Sequence, residues 1–422
     1  MKCFVVLEPA NHMFKVIEAA AARGMPVIAF HSRALRADGA YRAGLAAITQ
    51  TCQVDSWDDY DAVFDLVCAQ VGPRGIGGTY TSYEALLPLD FMLRQHAGLP
   101  VNPPAVLERL LDKRLVRSDL LQAGLTGLAW CDPATVRDGA WPWPGHAAFL
   151  KPATGSGSLF VTGCATPDQV AAGLQQWDDK TIAFSPIQRQ HLMRSGALFL
   201  EQAAEGELMS LEGWVWEGQY HVLGLTSRTV LQRDPSIEMG ATFPYAHPRL
   251  PAIIDKLTRI HQALGIRHGA THAEIMVGPD GAIELIEMNP RFAGSDVLLL
   301  IDMALGVSVG ALLADLACGR RPGAVSSGRQ RYASVQQLLA PAGSGAFDAL
   351  ALDADLVSEI HLSKPLGSAL ASTDYQHDQV AAFLVCADSY DAVLDLARQV
   401  RAGAQVNGAP LGADRNNVVD LR

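Results

Sequence analysis

The first hundred residues alternate between short apolar runs and longer segments whose apolar positions recur every three or four residues. Lys2–Leu7 reads as a strand, Phe14–Arg23 as a helix, and Met25–Phe30 as a second strand set off by Gly24. Helices are predicted over Asp58–Val71 and Ser82–His96. This order of strand and helix describes an open βαβ layer, a small doubly wound domain over residues 1–101. No Gly-x-Gly-x-x-Gly follows its first strand, so no dinucleotide site is expected there.

Asn102-Pro103-Pro104 caps a helical stretch with leucines at 107, 110, 111, 115 and 121 and Gly124 as its stop. Ala147–Lys151 and Leu159–Thr162 are predicted strands around a small-residue tip, Pro152 to Ser158, and Thr166-Pro167-Asp168-Gln169 is a capping box for the helix that follows. Strands are predicted at Leu198–Gln202, Leu208–Trp216 and Tyr220–Ser227, then an amphipathic helix over Ala252–Leu264. Thr271–Val277 and Ala282–Met288 form a hairpin joined by Gly278-Pro279-Asp280-Gly281. Val297–Ala317 is strongly apolar but interrupted by Asp302 and Asp315, and is expected to be a buried helix rather than a membrane span. The expected organisation is α/β (α+β): a domain at 1–101, a subdomain at 102–185, a larger one at 186–322, and a separate small domain at 323–422.

Charge narrows the function. The 422 residues carry a formal net charge of −11 with no basic block, which disfavours nucleic acid and anionic membranes as partners. The N-terminal apolar run is too short for a secretory signal. Seven cysteines without metal-ligand or redox spacing point to a reduced, cytoplasmic setting.

The predicted hairpin places Glu274 and Glu287 on one face as diagonal neighbours, with Asn289 further along the same side. Two carboxylates and an amide oxygen suit Mg²⁺, which takes a few protein oxygens and completes its shell with water and phosphate. The alternative is a solvent-facing hairpin with hydrated acids. Ile283, Leu285, Ile286 and Met288 crowd Glu287, and a free carboxylate in such a strand is costly without a cation. Arg291 adds a rigid fork of donors for phosphate or carboxylate. Lys151 ends a strand before Ala153-Thr154-Gly155-Ser156-Gly157-Ser158, whose backbone N–H groups can face an anion, although a flexible hairpin tip looks the same. No Walker lysine follows these glycines.

Taken in order, these segments resemble the ATP-grasp superfamily, in particular its carboxylate–amine ligases of the L-amino-acid ligase kind. The resemblance implies an ATP-grasp fold with an N-terminal pre-ATP-grasp domain. It makes Lys113, after Asn102-Pro103-Pro104 and Asp112, and Lys151 phosphate contacts, and Thr154, Gly155, Ser156, Gly157 and Ser158 a mobile lid. Glu201, Gln202, Ala203, Ala204 and Glu205 would be the hinge strand that meets adenine through its backbone. Family members usually carry Gly-x-Glu at the ribose turn. Here Gly206-Glu207-Leu208 puts the acid one position early, leaving Glu207 or Glu205 for the ribose. Glu274, Glu287 and Asn289 match the metal ligands for two Mg²⁺ ions, with Mn²⁺ a substitute. Arg291, Lys151 and Glu287 are the implied catalytic residues, and Glu212, His272, Arg291, Gly294 and Ser295 border the substrates. The implied reaction turns a carboxylate into an acyl phosphate and passes it to an amine, with small-molecule carboxylate and amine partners, amino acids first among them, in a homodimer. A carboxylase or formyl-transferring relative using bicarbonate or formate, and a non-catalytic ATP-binding module, are the competing readings.

Overall fold

The structure, a computed structural model, describes residues 1–136, 140–179, 186–294, 296–325, 331–341, 345–370, 378–412 and 416–420. Its N-terminal sheet is parallel, with Cys3–Leu7 central between Val27–His31 and Ile76–Tyr80, and Gln50–Gln53 beyond Val27–His31. Every residue of Cys3–Leu7 is buried because both faces are covered. Cys3, Val5 and Leu7 pack with Ile28, Phe30, Val63 and Val67. Phe4 and Val6 face the other way, onto Phe14, Ile17, Leu300 and Leu313. Gln50–Gln53 lacks an apolar signature because it is an edge strand.

The predicted helix over Val297–Ala317 is two helices, Val297–Leu305 and Val309–Ala317, bent by 119°. Gly306 ends the first in the left-handed region at φ 67°, and Ser308 caps the second by accepting from the Ala311 N–H. No single helix among the described residues is long and apolar enough to cross a membrane.

A four-stranded antiparallel sheet follows, in the order Trp130–Cys131, Leu198–Gln202, Ala148–Pro152, Thr162–Cys164. The strand expected at Leu159–Thr162 thus lies later, since Ser158 and Phe160 take positive φ (54° and 58°) in a turn. The expected boundary at residue 185 falls outside the described residues. Leu198–Gln202, assigned on the sequence to the next subdomain, pairs within this sheet.

The third sheet has nine strands among the described residues: eight run from Ile283–Asn289 through His268–Val277, Glu207–Trp216, Gln219–Leu231 and Asp234–Phe243 to Tyr332–Leu339, Gln379–Ala387 and Glu359–Leu362, and Val418–Asp420 pairs with the end of Gln219–Leu231. The C-terminal segment is therefore not a detached domain. Tyr332–Leu339 pairs directly with Asp234–Phe243, and Gln379–Ala387 and Glu359–Leu362 follow it, so these strands extend the central sheet.

One face of this sheet is apolar. Leu211, Ala273, Ile275, Leu285 and Met288 pack beneath Ile253, Leu257 and Ile260 of the helix Leu250–Ala263. Strict alternation cannot send both Leu285 and Met288 to that side, and a β-bulge between them resolves the conflict. The turn runs over residues 278–282, one longer than predicted, so Val277 pairs with Ile283. The bulge then shifts the register, and Glu274 lies directly opposite Glu287 rather than diagonal to it.

Asp302 offers a check on the packing of the bent helix pair. Burial pushes its carboxyl up to about 7, although it accepts the Val309 N–H at 2.6 Å and feels the charge of Lys15. A carboxyl whose folded value is raised contributes full stability only below its unfolded value near 4, and that contribution is lost as pH climbs toward 7. Asp302→Asn is expected to be more stable than the parent at pH 8 by on the order of 1 kcal/mol, with the gap closing toward pH 4 in denaturant titrations.

Candidate active site

The polar face of the central sheet carries a grid of six side chains on three strands. Glu212 lies opposite His272, which lies opposite Asn289, and in the next row Ser210, Glu274 and Glu287 are aligned in the same way. His272 Nδ1 is 2.6 Å from Glu212 Oε1, its Nε2 is 3.1 Å from Glu274 Oε1, and Ser210 donates to Glu212 at 3.1 Å. Glu212 is fully buried and Asn289 nearly so, whereas Glu274 and Glu287 keep about a fifth of their side chains exposed (22% and 21%).

Burial would lower the His272 value, but the charges and hydrogen bonds of Glu212 and Glu274 outweigh it and raise it to about 9. Burial would raise Glu274, yet the hydrogen bond and charge of His272, with Arg228 and Arg291, hold it down at about 2. Glu287 is different. Burial pushes it up, Glu274 and Glu84 add to that, and Lys113 only partly offsets them. The face is thus short of positive charge at Glu287, as expected of a cation seat. Among the described residues no three His, Cys, Asp or Glu side chains converge on one ligand point. Two carboxylates and one amide oxygen instead suit a hard cation that takes its other ligands from phosphate and water.

Lys113 stands at the start of the helix Lys113–Gln122, behind Asp112, which caps it by accepting the Arg114 N–H. Its ammonium donates to the Gly155 carbonyl at 2.5 Å and lies 3.2 Å from Glu287. Lys151 is buried and paired with Glu201, which Arg117 also holds at 2.7 Å. Glu201 therefore anchors a lysine, and its side chain is not free to meet a base. The lid is tied at one end: Thr154 is buried and donates to the His191 carbonyl at 2.7 Å. Gly155 (φ 141°) and Gly157 (φ 69°) take conformations that side chains resist, and Ser156, Gly157 and Ser158 line the cleft.

In the hinge, the Gln202 and Ala203 N–H groups donate to Ala129 and Ala147. Ala204 continues the same segment toward Glu205 and Glu207, which border a neighbouring concavity with His247, Arg249 and the hairpin turn, and Glu207 is 3.6 Å from His247. Gly294 borders the acid cleft with open space where a Cβ would stand. Ser295 lies outside the described residues.

Six contributors escape a reading of the sequence. Glu84, from the loop after the last N-terminal strand, accepts from Arg291 Nε at 2.9 Å and Nη2 at 2.5 Å and faces His191 at 3.0 Å. The Arg291 charge leads the forces that overcome burial and hold the Glu84 carboxyl far below its usual range. With its amide nitrogen turned inward, Asn289 also donates to Glu84 and Glu287, at 2.8 and 3.1 Å. Arg228, which is buried, and the half-buried Glu238 stand on adjacent strands with their charged groups 3.1 Å apart and form a wall beside His272. Asn11, Gln337 and Gln379 complete a cleft of about 450 Å³. Glu84 resembles a helix-start acid in sequence, whereas an arginine inside the strand Gln219–Leu231 is a usable signal for Arg228.

Residues 146–298 match the ATP-grasp domain family. Alanine–anticapsin ligases of Bacillus amyloliquefaciens and Bacillus subtilis are each 24% identical over 228 residues, which is 50% of this chain and 47% of theirs, so the match spans about half the length of these relatives. The L-amino acid ligase from Bacillus licheniformis superposes with a TM-score of 0.79 at 19% identity, over 96% of this chain and 98% of that one. Phosphoribosylglycinamide synthetase from Anaerococcus prevotii gives 0.70 at 12% (96% and 99% covered), and the biotin carboxylase domain of Hydrogenobacter thermophilus 2-oxoglutarate carboxylase gives 0.68 at 14% (96% and 91%).

The Glu212–His272–Glu274 chain is open to NMR. In the ligand-free protein the His272 ring should still be doubly protonated at pH 8, and Glu212→Gln should bring its titration down by at least about one unit. A ring already neutral at pH 8 in the parent would contradict the assigned network.

Proposed function

We propose that this chain, which carries an ATP-grasp domain in an ATP-grasp fold, is an ATP-dependent carboxylate–amine ligase that joins amino acids through an acyl phosphate. The observation that carries the proposal is the polar grid, two facing glutamates with an asparagine, met by Lys113 from one side and by Arg291 from the other. Glu274, Glu287 and Asn289 would hold the divalent ions, two Mg²⁺ with Mn²⁺ a substitute, and Asn289 would turn its oxygen inward. Bound there, Mg²⁺ would neutralise charge on the β- and γ-phosphates.

The protein's own groups do the rest by position and charge. Lys113 and Lys151 offset the remaining phosphate charge. Glu201 and Arg117 fix Lys151 from behind, and Glu84 fixes Arg291, so neither cation has to reorganise as charge moves to the transferred group. Residues 202–205 are assigned to adenine; with the Gln202 and Ala203 N–H groups committed, Ala204, Glu205 and the carbonyls carry that contact. Glu207 or Glu205 is assigned to the ribose.

In the overall reaction a carboxylate, an ammonium and ATP give an amide, ADP, inorganic phosphate and one proton. The carboxylate oxygen attacks the γ-phosphorus of ATP, and the bond from that phosphorus to the bridging oxygen breaks as ADP leaves. The amine nitrogen, having lost a proton, then attacks the carbonyl carbon, and the carbon–oxygen bond breaks as phosphate leaves with the electron pair. Closure of the Gly155–Ser158 lid keeps water from the acyl phosphate. Arg228, His272 and Glu212 border the donor, and a donor amino acid fits a wall that offers both an arginine and a carboxylate.

A matrix of amino-acid pairs with ATP and Mg²⁺, scored for phosphate release and product mass, is expected to show release only with productive pairs. Release that instead requires bicarbonate, without an amide product, would overturn the amine-ligase reading. Lys151→Ala and Glu287→Gln should each lower amine-dependent ADP formation by roughly a hundredfold or more while the folded far-UV spectrum is kept. Turnover retained in both would remove these residues from the chemistry.

A further inference from the structure

A second cleft of about 630 Å³ adjoins the acid cleft and shares Asn11, Gln337 and Gln379 with it. It opens at the carboxyl end of the N-terminal parallel sheet, where the strand order reverses between Cys3–Leu7 and Ile76–Tyr80, the place at which open α/β sheets receive ligands. The loop after Cys3–Leu7 is held in an unusual shape, since Glu8 and Asn11 take φ of 50° and 47°. Four donors fix the buried Glu8 carboxylate: Ser32 N–H, Ser32 Oγ, Trp57 Nε1 and Arg33 Nε.

The acids around this cleft are already engaged. Glu8 is saturated, Asp38 accepts the Leu362 N–H at 3.0 Å, and Asp296 accepts from Tyr41 at 2.5 Å and faces His361 Nδ1 at 2.9 Å. Two donors are not. Arg36 is exposed at the mouth and has no carboxylate partner among the described residues. The His361 side chain is 92% buried, and its Nε2 finds no hydrogen-bond partner there, the nearest carboxylate, Glu359, lying 3.7 Å away. A buried ring nitrogen that makes no hydrogen bond, in the same cleft as an unpaired guanidinium, can receive an anion.

We propose that this cleft is the acceptor subsite. It takes an amine that bears its own carboxylate, a free amino acid, holding that carboxylate on Arg36 and His361 and presenting the amine past Asn11 and Gln337 to the acyl phosphate. The proposal rests on the ligase reading and deepens it. Asp296 links the two clefts, because it lies two residues beyond Gly294 of the acid cleft and faces His361 Nδ1 in the second.

Hydroxylamine separates the two readings, since a small neutral nucleophile traps an acyl phosphate as a hydroxamate without needing an acceptor site. The parent enzyme is expected to form hydroxamate from its donor amino acid and ATP. Arg36→Glu should keep that rate within about twofold, yet raise the KM for the acceptor amino acid at least about tenfold. Arg36→Lys should recover part of the loss, and an acceptor whose carboxylate is replaced by an amide should be used poorly by the parent and no worse by Arg36→Glu. His361→Gln should raise the acceptor KM in the same direction. Unchanged acceptor KM in both Arg36→Glu and His361→Gln, with hydroxamate still formed, would overturn the subsite alone. Absence of hydroxamate from the parent with every amino acid would overturn the ligase reading and the subsite with it.

Discussion

Like charges cannot be buried side by side without compensation, and that constraint organises this molecule. Glu212, Glu274 and Glu287 sit on one sheet face with Glu84 and Glu238 close by. Each cation in reach is drawn to them: His272 between two carboxylates, Lys113 on Glu287, Arg228 on Glu238 and Arg291 on Glu84. Those cations come from different parts of the chain. The electrostatics of the face therefore also hold the parts together, and Glu84 alone bridges the N-terminal sheet, the Arg291 segment and the helix that anchors the lid.

Local pattern carried much of this into the sequence. The strand predicted at Thr271–Val277, the Glu-Met-Asn-Pro-Arg run, and lysines placed at a helix start and a strand end all survive as geometry, the strand itself starting at His268. What the sequence could not show was set at long range. Thr154 and Glu201 lie in the segments where ATP-contacting residues were expected, but the side chain of each is committed to the protein: Thr154 to the His191 carbonyl, Glu201 to Lys151 and Arg117. Glu84 meets Arg291 across more than two hundred residues, and nothing in its neighbours announces that encounter.

The same limit explains the C-terminal quarter. Its strands are legible as strands, but which edge they join depends on the free side of Asp234–Phe243, a property of the assembled sheet. Joining there brings Gln337 and Gln379 to the junction of the two clefts. The N-terminal layer likewise looks like a bystander without a glycine-rich turn, yet its strand-end loops supply Asn11, Glu84 and the rim of the second cleft.

The bulge between Leu285 and Glu287 has a consequence for how this hairpin tolerates change. Surface turns ordinarily absorb added or lost residues at little cost. Between Ile283 and Glu287 each residue sets the phase of everything after it, so an indel of odd length at residues 283–286 would point Glu287 into the oily layer and swing Met288 out to water. Changes of length should accordingly be confined to the tip, and the stretch from Ile283 to Glu287 should vary by substitution alone.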